Sequence, residues 1–152
     1  MIYNYLKKLA LFSVLFILAC TPSAYAEKDA IFTSWQNNLA VQGFDVVSFY
    51  SGKPQEGKAE FSTVYKKARW QFSSEANLDL FQTNPNAFIP QYGGYCAWAV
   101  ANGKLAKGSS KYWHVEDGRL YLNFNSRIQE KWDKDRAEFI SVANEKWPEI
   151  LK

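Results

Sequence analysis

The chain has 152 residues, 17% aromatic and 22% charged, with 18 basic and 15 acidic side chains. That length bounds it to one domain. With Lys7 and Lys8 set aside as part of an N-terminal signal, 16 basic residues face 15 acidic ones, a net charge of +1. This excludes the one-sided basic excess of a nucleic-acid binder.

Residues 1–26 read as an export signal. Lys7 and Lys8 precede an apolar run, residues 9–19 (LALFSVLFILA), of signal-core length and too short to span a bilayer. Ala24-Tyr25-Ala26 supplies the small-x-small pattern of a cleavage site, so the mature chain is expected to begin at Glu27. A rival reading takes Ile17-Leu18-Ala19-Cys20 as an imperfect lipobox, with Cys20 the lipidated first residue; a third leaves the segment as an uncleaved anchor. Each places the folded part outside the cytoplasm: periplasmic or secreted, or a membrane-anchored lipoprotein through Cys20. Membrane contact is expected only through that signal or lipid anchor.

Two cysteines in an exported chain suggest a disulfide. Once Cys20 is cleaved off or lipidated, however, Cys96 has no partner in its own chain. Such a thiol is buried and inert, reactive, a metal ligand, or paired between molecules. Stability then falls to the core, and all six tryptophans lie beyond residue 26.

Residues 27–38 read as a linker or short helix, with Trp35 available to dock. Residues 39–148 form the domain. Gly43 and Asp45 suit a turn and a helix cap, and 51–54 (SGKP) a turn. Residues 61–65 and 69–72 read as a hairpin turning at Lys66-Lys67, with Phe61 opposite Phe72 and Thr63 opposite Trp70. Ser73 or Ser74 caps a helix carrying Leu78 and Phe81 inward, stopped at Asn84-Pro85. After the Gly93-Gly94 bend, residues 95–101 read as a short helix closed by Gly103. Residues 113–116 and 119–124 form the clearest hairpin, turned by Asp117-Gly118. Val115 faces Leu120 and Trp113 faces Leu122 on the core side; His114 faces Tyr121 and Glu116 faces Arg119 on the other. Asn125 caps a helix with Ile128 and Trp132, and Asp135-x-x-Glu138 is a capping box opening another that ends at Trp147-Pro148. No internal repeat or low-complexity segment is recognised. The pattern is α+β: small antiparallel hairpins packed with short helices.

Several segments carry a resemblance: Gly43-Phe44-Asp45, Trp70-Gln71-Phe72-Ser73-Ser74-Glu75, Phe81 with Asn84-Pro85, Tyr92-Gly93-Gly94-Tyr95-Cys96-Ala97, and Asp117-Gly118 followed by Leu120-Tyr121-Leu122-Asn123. Over residues 39–147 the chain resembles the YHS-domain family, in its exported single-domain branch. The resemblance implies a zinc-finger-like hairpin and helix core with C-terminal helices. Because relatives carry this core beside copper-transporting ATPases and some oxygenases, it also implies metal handling. Metal-binding relatives place cysteines beside the turn before the hairpin and at the hairpin's end. Here those places read Phe44-Asp45-Val46 and Phe72-Ser73-Ser74, and Val46 replaces the usual proline.

Cys96 is the first candidate site residue: a soft ligand for Cu(I), a redox thiol at a helix start, or a small buried hydrophobe. His114, the only histidine, is the second metal candidate; its hairpin register makes it a solvated neighbour of Tyr121. One Cys and one His do not complete a four-ligand zinc site, so Asp45 or a tyrosine would have to join. Asp45 also reads as a cap, and Tyr92, Tyr95, Trp98 and Trp113 as core. Ser-His-Asp spacing, a phosphate-binding glycine loop, HExxH and CxxC are all missing. The expectation is a non-enzymatic metal-binding module, copper first and zinc second, centred on Cys96. The alternatives are a structural or interaction protein of the envelope with Cys96 as packing, and a thiol- or metal-dependent redox enzyme.

Overall fold

Lys66 and Lys67 adopt positive φ (48° and 65°) without help from Gly or Asn, and so close the first hairpin in this computed structural model of the chain. The structure describes residues 27–152, so the expected signal and Cys20 lie outside the described residues. Strands β1 (Lys58–Tyr65) and β2 (Ala68–Phe72) pair antiparallel, with Thr63 opposite Trp70 as expected. Phe72 faces Lys58 instead of Phe61, because a bulge interrupts the register between Lys58 and Ser62.

Helix α1 (Glu75–Thr83) follows, capped by Ser74, whose Oγ accepts from Asn77 N at 3.2 Å. Its Phe81 is wholly buried between Trp70 and Phe72, with ring centroids 5.1 and 5.0 Å away. Pro85 stops α1 and starts the short α2 (Pro85–Phe88); its missing N–H costs nothing at a first turn. Helix α3 (Ala97–Ala101) begins immediately after Cys96.

Strands β3 (Ser109–Glu116) and β4 (Arg119–Asn123) turn at Asp117-Gly118, and all four expected cross-strand pairs are present. Asn125 caps α4 (Ser126–Asp133), and Asp135 caps α5 (Arg136–Lys146). The described residues are thus α+β, with two separate two-stranded sheets.

β4 lies between two core clusters. Leu120 and Leu122 join Phe49, Phe72 and Phe81 on one side. Tyr121 joins Tyr92, Val100 and Trp132 on the other. The face of this hairpin expected to meet solvent is therefore covered, because α4 brings Trp132 to within 5.4 Å of the Tyr121 ring. Alternation along a strand identifies two faces but not what later elements lay over the second.

Residues 27–38 are attached to the domain. Lys28 N donates to Leu151 O and Phe32 N to Gly93 O, both at 2.9 Å; Ile31 is buried. A Cβ at Gly93 would stand 1.8 Å from Ala30 O, so only glycine admits this strap. Trp35 does not dock. It sits at the tip of a turn between the paired Thr33 and Ala40, 92% exposed.

The fold repeats itself with a spacing of 51 residues. β1 and β2 become β3 and β4 when every boundary is moved by that number (Lys58 to Ser109, Ala68 to Arg119). α1 and α4 start 51 apart, as do α2 and α5. Phe44 N donates to Val41 O and Tyr95 N to Tyr92 O; Gly57 N donates to Gly43 O and Gly108 N to Gly94 O. Gly52 and Gly103 occupy equivalent left-handed positions at φ 74° and 69°. Residue identity hides the repeat: few pairs besides the glycines match at that spacing.

Candidate functional site

The repeat places Asp45 and Cys96 at the same point of the two halves. Asp45 N donates to Gln55 O and Cys96 N to Ala106 O, each at 2.9 Å. Both side chains enter the fold at the start of a short helical turn, where backbone N–H groups are left without intrahelical partners.

Around Asp45 those groups meet a carboxylate. Oδ1 accepts from Val47 N at 2.9 Å and Ser48 N at 3.3 Å. Oδ2 accepts from Ser73 N at 2.9 Å, Ser73 Oγ at 2.6 Å and Asn77 Nδ2 at 2.7 Å. The side chain is 0% exposed. Five donors make a buried charge tolerable and tie the Gly43 turn to the end of β2 and the first turn of α1.

Around Cys96 the corresponding three backbone N–H groups, those of Trp98, Ala99 and Phe124, surround a thiol. Burial raises the Cys96 pKa, and these three groups pull it the other way. The residue is 1% exposed. Its Sγ lies 3.6 Å from Asn123 Oδ1, to which the S–H donates. That same oxygen accepts from Trp98 N at 3.2 Å. Where Ser73 and Asn77 offered side-chain donors to Asp45, the second half has Phe124 and Ile128, which offer none.

Asn123 is held in that orientation from behind. Its Nδ2 donates to Gln129 Oε1 at 3.0 Å, and Gln129 Nε2 donates to Asp133 Oδ1 at 2.9 Å, one turn along α4. Arg136 Nε donates to the same Asp133 oxygen at 3.0 Å. Arg136 Nε lies 3.9 Å from Glu116 Oε2, and His114 Nε2 lies 3.5 Å from that atom.

No protein-family model, curated protein or solved structure matches this chain. The site therefore rests on its own geometry.

The two metal candidates stand at opposite ends of this polar chain and do not converge. His114 makes its ionic contact with Glu116, not with Cys96, and its ring meets the edge of Trp132 with centroids 5.8 Å apart. It is half-buried where the sequence suggests an open face, and its cross-strand neighbour Tyr121 is buried, because Trp132 lies over both. Among the described residues, no three His, Cys, Asp or Glu side chains come together as a ligand group. Asp45 is committed to its five donors. Beside the Cys96 sulfur lies an amide oxygen, that of Asn123, which accepts from the S–H and from Trp98 N, and amide oxygens are poor partners for the soft metals a thiolate prefers.

Tyr92, Tyr95 and Trp147 pack as core, with Tyr92 OH donating to Asn144 Oδ1 at 2.9 Å and Tyr95 OH to Asp29 O at 2.9 Å. Burial lifts both phenols above their usual range. The sequence reading assigned no role to Asn123. The signal that reveals it is the 51-residue correspondence of Gly43-Phe44-Asp45 with Gly94-Tyr95-Cys96, which sets each buried polar side chain against the end of its own hairpin.

Proposed function

We propose that this chain is an exported structural or interaction protein of the cell envelope, of YHS type, in which Cys96 is a structural thiol. The observation that carries the role of Cys96 is the orientation of Asn123. Its carbonyl oxygen faces the sulfur, so the favoured state is a neutral S–H that donates. A thiolate would meet those lone pairs, and turning the amide to relieve this would break its bond to Gln129. Burial adds to this by raising the thiol pKa, which keeps the nucleophilic form scarce at neutral pH. The family reading is supported by the motifs around residues 43–45, 92–97 and 117–123, and the location by residues 1–26.

The experiment is an anaerobic Cu(I) competition titration of the full chain carrying Cys20→Ser, with and without Cys96→Ser. The expected result is the same copper affinity for both. A site tighter than about micromolar that vanishes with Cys96→Ser would overturn the proposal.

A further inference from the structure

A groove of about 610 Å³ runs between the strap turn and the start of β3. The partly buried Phe32 and Phe44 line it together with the exposed Trp35, Phe124, Lys107 and Lys111. Phe124 is 41% exposed, and Lys107 Nζ stands 5.6 Å above its ring. No acidic side chain lines the groove. Among the described residues, neither lysine has a carboxylate within ion-pair distance.

We propose that this face docks on a membrane surface bearing anionic headgroups, with Trp35 and Phe124 entering the boundary between headgroups and acyl chains and the two lysines meeting phosphate. Cations without matching acids make the charge complement negative. A tryptophan that stands out at a loop tip, instead of flooring the recess, suits entry into a yielding phase more than docking against a folded partner. Trp and Lys together are the side chains that interfaces between lipid and water favour, an apolar body with a wet end.

The test uses the full chain mixed with vesicles of phosphatidylglycerol and phosphatidylcholine whose acyl chains are brominated, reading tryptophan quenching. Quenching is expected in these vesicles, and it is lost in Trp35→Phe even if residues 1–26 still hold the chain to the bilayer. Lys107→Ala with Lys111→Ala shifts the docked-to-undocked ratio about 25-fold toward undocked, about fivefold for each lysine at ~1 kcal/mol. High salt and vesicles of phosphatidylcholine alone act in the same direction. The proposal is overturned by quenching that survives Trp35→Phe, by quenching indifferent to both lysines, or by no quenching in any vesicle, the result a protein partner for this face would give. Thermal melts of each variant, expected to be unchanged for these exposed positions, separate loss of docking from loss of fold.

Discussion

Asp45 and Cys96 lie 51 residues apart and occupy one structural position twice over, the first as a carboxylate holding five donors, the second as a thiol beside a single amide oxygen. The first half ties its turn to its hairpin through charge. The second does so through a thiol and two amides, a network that runs from Asn123 through Gln129 and meets charge only at the surface, at Asp133.

That difference predicts unequal costs. Asp45→Ala leaves Ser73, Asn77 and two backbone N–H groups buried without an acceptor, and is expected to lower stability by about 3 kcal/mol or more. Cys96→Ala leaves a small cavity and an Asn123 oxygen that keeps its bond from Trp98 N, and is expected to cost about 1 kcal/mol. Urea unfolding of the two variants gives the order; equal losses would contradict it.

The halves are equivalent in backbone but not interchangeable in chemistry. Cys96→Asp places a carboxylate where Phe124 and Ile128 supply no side-chain donors and Asn123 presents an oxygen. It is expected to cost more than Cys96→Ala, by about 2 kcal/mol. Urea midpoints compare the two directly.

Glycine substitutions test the repeat itself. A Cβ at Gly57 would stand 2.5 Å from the Gln71 backbone, and one at Gly108 would stand 2.3 Å from Gly94 O and 2.7 Å from Leu122 Cβ. Gly57→Ala and Gly108→Ala are therefore expected to be strongly destabilising, by more than about 3 kcal/mol. Gly52→Ala and Gly103→Ala meet open space and cost only the left-handed backbone, about 1 kcal/mol. Calorimetric melting is expected to sort the four into two pairs, each containing one glycine from each half.

Stability should fall at alkaline pH. Burial raises the Cys96 thiol from an ordinary value of 9.0, and raises the Tyr50, Tyr92, Tyr95 and Tyr121 phenols from 10.0. The unfolded chain then releases these protons at lower pH than the native one. Their contribution is complete below the unfolded values and is lost as pH rises through the native ones. Urea midpoints are expected to hold level up to about pH 8 and to decline above pH 9; a midpoint that rises over that range would contradict the burial of these groups.

The parts of this fold legible in the sequence are those set by short-range chemistry. Asp117-Gly118 fixes its hairpin because both residues accept the positive φ that matches strand twist, and Asn125 and Asp135 cap because their oxygens reach N–H groups three residues on. The first hairpin was legible only near its turn, since the bulge between Lys58 and Ser62 has no local marker. His114 was misplaced on an open face because Trp132, eighteen residues later, decides what covers it. Cys96 was recognisable as the residue to watch, but its character depends on Asn123, whose amide is set by Gln129 on another element. Strap and groove were invisible for the same reason: Gly93 admits residues 30–32 by lacking a side chain, which the sequence shows only as flexibility.

The central claim is that the Cys96 thiol is sealed, protonated and structural. Reaction of the Cys20→Ser chain with Ellman's reagent at neutral pH, before and after adding guanidinium, tests it most directly. The account predicts no reaction on the timescale of mixing in the native protein and one thiol released on unfolding. Rapid stoichiometric reaction of the native protein would contradict it.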